Sequence, residues 1–146
     1  MGVFTGVFAG GMAATNWPFD SSSLLRANRA TTLFGNCGYI RRNCVVDGDT
    51  FWIKGEKVRI ANIDAPETPG SDRCKYLRTG KNPSWCDFER GLKARDTLRK
   101  FLSNGQVVIS RQGKDQYGRT LATVSVDGKD AGKHLVHQGV ARSWQN

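Results

Sequence analysis

Short apolar runs separated by turn residues recur along the chain from residue 43 to residue 63. They predict strands at 43–46, 50–54 and 57–63. The connections between them, DGD at 47–49 and KGE at 54–56, have the composition of tight turns. This part of the chain is therefore predicted to consist of short strands.

The spacing becomes helical after residue 86. Asp87 is a suitable N-cap, Glu89 lies in the first turn, and Gly105 follows as a stop signal. One apolar stripe is formed by Phe88, Gly91, Ala94, Leu98, Phe101 and Leu102. Cations occupy much of the remaining surface, and we interpret them as a solvated face: Arg90, Lys93, Arg95, Arg99 and Lys100.

Two more strands are predicted at 106–110 and 121–126, joined through the turn DQYGR. A short helix at 131–138 follows, and residues 140–143 form a final edge segment. This order predicts a mainly β protein with helices, of the α+β class. Five short strands with a helix after the third suit a small Greek-key barrel, the OB-fold, with one main helix and one short helix.

Residues 1–36 have no clear periodicity and are predicted to be an N-terminal tail or linker, with the folded domain at 37–146. The opening MGVFTGVFAGGMAA is apolar and ends in small residues, like the core of a signal peptide. It lacks a positively charged start, and its glycines weaken it as a membrane helix. A remnant of an export or anchor segment and a disordered tail both remain open.

The chain carries 22 Lys and Arg against 13 Asp and Glu, a formal net charge of +9. Such a basic surface favours polyanions, meaning nucleic acid or an anionic membrane, although charge alone also fits a role in solubility. The sequence contains no nucleophile elbow, Walker loop or Rossmann fingerprint. His134 and His137 have no nearby partner for a catalytic triad and are expected to pack or to face solvent.

The four cysteines do not have zinc-site spacing, because no C-x2-C pair is present. Pairing Cys37 with Cys44 and Cys74 with Cys86 would close two local loops, which suits an exported protein. Four reduced cysteines in a cytosolic protein are the alternative. Composition and spacing favour the disulfides.

Four acids lie around the predicted strand ends: Asp47, Asp49, Asp64 and Glu67. Their hard oxygen donors suit Ca²⁺ or Mg²⁺, whereas the alternative is that they only form turns. Arg59 and Asp64 are five positions apart, so an unbroken strand would turn them to opposite faces. A shared site therefore requires the strand to end or bend before Asp64, for which Pro66 is a candidate cause.

Arg59 is unusual in a strand that also contains Val58, Ile60 and Ile63, and it needs an anionic partner there. Arg119, in the turn DQYGR, is its expected companion. Two guanidiniums, metal-binding acids and a free glutamate are the groups that phosphodiester cleavage needs, because they neutralise charge on phosphorus and position water.

The motifs D-G-D-T, R-x-x-x-x-D-x-P-E-T and D-x-Y-G-R occur in order, followed by LVHQGVAR. In this combination the chain resembles the staphylococcal nuclease (thermonuclease) family from about Cys44 to Trp144, and the predicted OB-fold agrees with that family. The resemblance implies that Asp49 and Asp64 ligate one Ca²⁺, with the backbone carbonyl of Ala65 as a further ligand. Mg²⁺ remains an alternative.

The resemblance also assigns the catalytic groups. Glu67 matches the glutamate that acts as general base or orients the attacking water, and Arg59 and Arg119 match the arginines that contact the scissile phosphate. Tyr117 matches a tyrosine near the bound nucleotide, and Asp47 is expected to shape the turn. The segment at 68–86 is an insertion next to Glu67, either a disulfide-tied rim for nucleic acid or a structural loop.

The implied activity is hydrolysis of DNA and RNA, single strands favoured, to give 3′-phosphate ends. A monomer without a stable protein partner is expected, either exported to the periplasm or medium or anchored in the membrane through its N-terminus; a cytoplasmic location is less favoured. Two alternatives are a catalytically inactive module that binds nucleic acid or protein, and a disulfide-tied structural protein whose acids only build turns.

Overall fold

The computed structural model describes residue 2 and residues 31–74 and 84–145. The predicted export or anchor segment and residues 75–83 of the insertion lie outside the described residues. Nine strands are assigned in the described part, in chain order β1 (Gly35–Asn36), β2 (Cys44–Val45), β3 (Thr50–Ile53), β4 (Glu56–Ile60), β5 (Ile63–Asp64), β6 (Val107–Lys114), β7 (Thr120–Val126), β8 (Lys129–Asp130) and β9 (Arg142–Ser143).

Seven of these strands form one mixed sheet in the order β1-β2-β3-β4-β7-β6, with β8 paired to β7. Strand β4 runs parallel to β7, and Val58 lies opposite Thr120. Strands β5 and β9 form a separate antiparallel pair. The α+β class is confirmed, but the prediction of five strands is wrong, and no pairing within 31–74 and 84–145 closes the sheet into a barrel.

The strand count differs because the predicted strand at 57–63 is interrupted. Asn62 adopts a left-handed backbone conformation with a φ of 65°, which ends β4 and lets β5 pair with β9 instead. The other additional strands, β1, β8 and β9, are two residues long each, and β9 lies within the edge segment predicted at 140–143. Strands this short leave little periodicity to detect in the sequence.

Helix α1 (Phe88–Leu102) confirms the predicted main helix. The Asp87 carboxylate caps it by accepting a hydrogen bond from the Arg90 amide at 3.1 Å. The buried residues are Gly91, Ala94, Leu98 and Leu102, which belong to the predicted stripe. These four residues of the stripe therefore face the core, whereas Phe88 is exposed, and all five cations are exposed or half-buried.

Helix α2 (Ala131–His137) confirms the predicted short helix, with Asp130 as its N-cap. The His134 ring stacks on Phe101 at a centroid distance of 4.5 Å, and His137 is exposed. Both histidines therefore pack or face solvent, as expected. Within the described residues, no helix combines the length and apolar character that crossing a membrane requires.

The core lies between the sheet and the two helices. Every second residue of β7 is buried, including Ala122 and Val124, which gives one face of the strand to the interior. Phe51 at the centre of β3 is fully buried, and its ring meets Phe34 edge-on at 6.1 Å. Phe34 and β1 are part of the folded unit, although the sequence alone left them in the linker.

Both predicted disulfides are confirmed. Cys37 is bonded to Cys44, and Cys74 is bonded to Cys86, so none of the four cysteines is free. The first bridge closes the loop between β1 and β2, at one edge of the main sheet. The second bridge closes the insertion that follows Glu67.

Candidate active site

Asp49 is placed by a tight turn that packs closely against its surroundings. The Asp47 carboxylate accepts a hydrogen bond from the Asp49 amide at 3.0 Å, which closes the turn before β3. A Cβ added at Gly48 would lie 2.6 Å from the Cβ of Ala94 and 2.7 Å from the Cβ of Ala65. Glycine therefore lets the turn carrying Asp49 approach both α1 and the segment after β5.

Asp47 is the half-buried member of this turn. Burial raises the pKa of the Asp47 carboxyl well above its usual range, and the neighbouring Asp49 carboxylate raises it further. Its contact to the Asp49 amide is the contact of a turn-forming residue, as the sequence indicates.

The break between β4 and β5 brings Asp64 to the same place. The strand does end before Asp64, as a shared site requires, but the break lies at Asn62 and not at Pro66. Arg59 therefore reaches both acids: its Nη2 lies 3.6 Å from Asp49 Oδ2 and 3.8 Å from Asp64 Oδ1.

Arg59 is held in this position by the backbone. Its Nη1 donates hydrogen bonds to the carbonyl oxygens of Ile60 at 3.0 Å and Ile63 at 3.2 Å. The side chain is only 16% exposed, and those of Asp49 and Asp64 are 9% and 8% exposed. One guanidinium thus serves two buried carboxylates, as its position in the strand requires.

The carboxylate oxygens also have closer partners. Asp49 accepts hydrogen bonds from the Thr50 hydroxyl at 2.8 Å and from the Ala65 amide at 3.1 Å. Asp64 Oδ2 accepts two from Arg142, at 2.8 and 3.2 Å. The amide N–H of Ala65 therefore lies beside the Asp49 carboxylate, and the ligand role of the Ala65 carbonyl oxygen stays a prediction.

The donor set suits a hard cation. In the described ranges, no group of three or more His, Cys, Asp or Glu side chains is arranged to hold a metal ion. Two buried carboxylates remain, both within 4 Å of the Arg59 guanidinium, and a bound ion would need backbone oxygens and water as its other ligands. Ca²⁺ and Mg²⁺ both take all-oxygen ligand sets that include water, so the residues fit such an ion.

Arg73 links Glu67 to Asp64. Its Oε1 accepts a hydrogen bond from Arg73 Nη1 at 3.2 Å, and its Oε2 accepts one from the Ser71 hydroxyl at 2.6 Å. The same Arg73 nitrogen lies 3.8 Å from Asp64 Oδ1. Glu67 and Asp64 therefore share a guanidinium, which brings the glutamate next to the pair of aspartates.

Arg119 connects to Asp49 through Thr50. Its Nη1 lies 3.5 Å from the Thr50 hydroxyl, and its Nε donates to Asp115 at 2.6 Å. Burial would raise the pKa of the Asp115 carboxyl, but the hydrogen bonds that Arg119 donates outweigh burial and lower it. The Tyr117 ring is 73% exposed and lies 5.3 Å from the Arg119 guanidinium carbon.

Sequence reasoning assigned no role to Arg73 and Arg142. Arg142 lies in the motif LVHQGVAR, but its contact with Asp64 follows from the pairing of β5 with β9, in which the two residues are opposite each other. Arg73 directly precedes Cys74, and that position is the one signal that links it to the disulfide of the insertion. Asp115 and Thr50 orient Arg119, and only the spacing within DQYGR hints at the first of them.

Residues 57–146 match the family model described as staphylococcal nuclease homologue. The match includes Arg59, Asp64, Glu67 and Arg119, whereas Asp49 precedes it. It covers more than half of the chain.

Three curated relatives are similar to the chain. The thermonuclease of Staphylococcus hyicus is 31% identical over 134 residues, which are 86% of this chain and 66% of that protein. An uncharacterized endonuclease of Haemophilus influenzae is 31% identical over 123 residues, 78% of this chain and 59% of that protein. The succinoglycan biosynthesis protein ExoI of Rhizobium meliloti is 32% identical over 99 residues, 66% of this chain and 48% of that protein.

The chain therefore spans about half to two thirds of the length of these relatives. The family match and the motifs around the two aspartates and two arginines agree, and the chain belongs to the family of staphylococcal nuclease homologues.

Proposed function

We propose that this domain is a metal-dependent endonuclease that hydrolyses DNA and RNA and leaves 3′-phosphate ends. The observation that carries the proposal is the placement of Arg59 within 4 Å of both Asp49 and Asp64, which come from different strand ends. Structural turn formation does not require these two acids to meet. Membership of a nuclease family and a net charge of +9 support the same reaction.

Asp49 and Asp64 would hold one Ca²⁺, with the Ala65 carbonyl as a further ligand and Mg²⁺ as the alternative ion. When bound, the ion supplies positive charge that stabilises the negative charge developing on the phosphate oxygens.

The remaining chemistry belongs to the side chains of the chain. Glu67 accepts a proton from the attacking water or orients that water toward phosphorus. Arg59 and Arg119 donate hydrogen bonds to the scissile phosphate, because planar guanidiniums match the geometry of phosphate oxygens. Asp115 holds Arg119 for this role, because its carboxylate accepts a hydrogen bond from Nε and does not engage the two terminal nitrogens of the guanidinium in that bond.

The expected substrate is an accessible single strand of DNA or RNA. Tyr117 offers an exposed ring next to Arg119, and an aromatic face stacks on any base without reading its edge. Recognition would then rest on phosphate charge and stacking, which gives little sequence preference.

We further propose that the domain is an OB barrel acting as a monomer without a stable protein partner. The strand path β2-β3-β4-β7-β6, with β4 and β7 parallel, supports a partly open Greek-key barrel. The two disulfides support a location in the periplasm or medium, or anchorage in the membrane through the N-terminus.

The proposal is tested by cleavage of end-labelled single-stranded DNA and RNA with Ca²⁺, with Mg²⁺, and with a chelator. We expect cleavage that the chelator abolishes, and 3′ ends that polymerase extends only after phosphatase treatment. Glu67→Gln should lower kcat by about 10²-fold or more, as expected for a group that acts on water. Glu89→Gln, at an exposed position of α1, is the matched control.

Binding of single strands without cleavage under any divalent cation would instead favour an inactive binding module. Cleavage by Glu67→Gln at the rate of the unaltered protein would refute the assignment of the glutamate.

A further inference from the structure

The disulfide-closed insertion contributes contacts to Glu67 from both of its ends. At one end, Arg73 donates to Glu67 Oε1 at 3.2 Å. At the other end, the backbone carbonyl of Trp85 accepts a hydrogen bond from the Glu67 amide at 2.5 Å. Side chain and backbone of the same glutamate are therefore held by residues that lie 12 positions apart in the chain.

The disulfide joins the neighbours of these two residues. Cys74 directly follows Arg73, Cys86 directly follows Trp85, and their Cα atoms are 5.9 Å apart. The guanidinium carbon of Arg73 lies 5.2 Å from the centre of the Trp85 ring, within the range of a cation–π contact. The bridge thus holds Arg73 and Trp85 next to each other and both of them next to Glu67.

Arg73 needs such support because half of its side chain is in solvent. Its exposed fraction is 51%, against 17% for Glu67. An ion pair with one exposed partner gains little from Coulomb attraction, and an arginine loses considerable rotamer entropy when it is fixed. The indole and the covalent bridge restrict the positions that Arg73 can take, which reduces the cost of holding it on Glu67.

The position of Arg73 matters for the orientation of the glutamate. Ser71 holds Oε2 and Arg73 holds Oε1, so both oxygens of Glu67 are fixed from the insertion. Fixing both oxygens defines the plane of the carboxylate. A carboxylate that must address one water molecule depends on that orientation, because a displacement of about 1 Å can lower the rate 10²-fold.

We propose that Arg73 is a positioning residue for Glu67 and that the Cys74–Cys86 disulfide keeps Arg73 in place. The inference rests on the proposed nuclease function, and it assigns the insertion a role at the catalytic site. The oxidised form of the insertion is then the fully active one. Loss of the bridge and loss of the arginine should have the same consequence.

The test compares steady-state kinetics on single-stranded DNA with Ca²⁺ for Arg73→Ala, Arg73→Lys and the double variant Cys74→Ser/Cys86→Ser. Arg73→Ala should lower kcat by about tenfold to 10²-fold with KM changed by less than about threefold, because positioning acts on the chemical step. Arg73→Lys keeps the charge and should recover part of kcat. Cys37→Ser/Cys44→Ser removes the other bridge and should leave kcat unchanged.

Combining Arg73→Ala with the Cys74→Ser/Cys86→Ser pair gives the sharpest outcome. Because both changes remove one and the same arrangement, the combined variant should be no slower than the slower of the two. Multiplicative losses in kcat would overturn the coupling between bridge and arginine. Thermal unfolding of each variant separates loss of fold from loss of positioning.

The cysteine variant could fail to fold, but Arg73→Ala should fold, because half of the arginine side chain is in solvent. Arg73→Ala therefore decides the outcome by itself. An unchanged kcat in Arg73→Ala, or a change confined to KM, would overturn the inference. If the unaltered protein cleaves and Glu67→Gln does not, the proposed function stands, and an unchanged kcat in Arg73→Ala refutes only the role of Arg73. If the unaltered protein does not cleave with any divalent cation, the proposed function itself fails, and the inference fails with it.

Discussion

Strand β4 carries two carboxylate–arginine groups that differ in geometry. At its start, Glu56 accepts two hydrogen bonds from Arg111, at 2.8 and 2.6 Å, and a third from the Thr120 hydroxyl at 2.8 Å. Near its end, Arg59 lies 3.6 Å from Asp49 and 3.8 Å from Asp64, distances beyond a hydrogen bond. Arg111 bonds both oxygens of Glu56, whereas Arg59 bonds neither aspartate, and we call the first group closed and the second open.

The difference separates a structural pair from a functional site. Glu56 and Arg111 satisfy each other at the surface, and hydrogen bonds from Arg111 and then Thr120 lower the pKa of Glu56 to about 2. Asp49 and Asp64 are more deeply buried and share the Arg59 guanidinium at 3.6 and 3.8 Å, although Asp64 Oδ2 also accepts hydrogen bonds from Arg142. Arg59 therefore compensates their charge without using a lone pair of either acid. An open group of this kind can accept a cation and a phosphate.

The largest effect is expected from removing a carboxylate of the open group. Asp49→Asn and Asp64→Asn preserve shape but remove the charge that would hold the cation. We expect each to lower kcat/KM for single-stranded DNA by about 10²- to 10⁴-fold, because a bound metal ion stabilises the transition state by several kcal/mol. Activity close to that of the unaltered protein in either variant would contradict the assignment of that aspartate as a ligand.

Arg59→Lys should have the next largest effect. Lysine keeps the positive charge between the two aspartates but cannot reproduce the planar fork that addresses two oxygens of a phosphate. We expect a loss in kcat of about tenfold to 10²-fold, measured beside the thermal midpoint because Arg59 also bonds two backbone carbonyls. Arg111→Lys is the control in the closed pair and should leave kcat unchanged.

Arg119 is intermediate between the two groups, and its substitution should have an intermediate effect. Its Nε donates a short hydrogen bond to Asp115 at 2.6 Å, as in the closed group, whereas its Nη1 lies 3.5 Å from the Thr50 hydroxyl. We therefore expect Arg119→Lys to lower kcat by about three- to tenfold, less than Arg59→Lys. A loss larger than that of Arg59→Lys would reverse the ranking that the geometry predicts.

The smallest effect is expected for Glu56→Gln, and it concerns stability. The pKa of Glu56 in the folded protein, about 2, lies below its ordinary value of 4.5, so the carboxylate stabilises the fold above about pH 4.5 and loses that contribution as the pH falls toward 2. Chemical unfolding at pH 7 should show a loss of about 0.2–1 kcal/mol, as is usual for a solvent-accessible pair. The difference should shrink as the pH approaches 2, and kcat should not change.

Much of the fold could be predicted because its signals are local. The stripe and the Asp87 cap of α1, and the alternation along β7, each depend on residues close together in the chain. The strand count was wrong because Asn62 ends β4 with a positive φ, a conformation that asparagine adopts without a distinctive sequence pattern. Barrel closure stays a prediction.

The site could be predicted only in part for a similar reason. Asp49, Asp64 and Arg59 stand in motifs that a family resemblance makes recognisable, and Arg59 lies within 4 Å of both acids, whereas the roles of the three residues stay predictions. Arg142 reaches Asp64 through strand pairing across 78 positions, and Arg73 reaches Glu67 through a disulfide-closed insertion. Neither contact has a periodicity or a spacing from which it could be inferred.

Calorimetric titration with Ca²⁺ tests the central claim most directly, because it separates the open group from the closed one without relying on cleavage. The unaltered protein and Glu56→Gln should each bind one Ca²⁺ with the same affinity, whereas Asp64→Asn should bind at least about tenfold more weakly, a loss of about 1.4 kcal/mol. Equal binding by Asp64→Asn and the unaltered protein, or weakened binding by Glu56→Gln alone, would contradict the account.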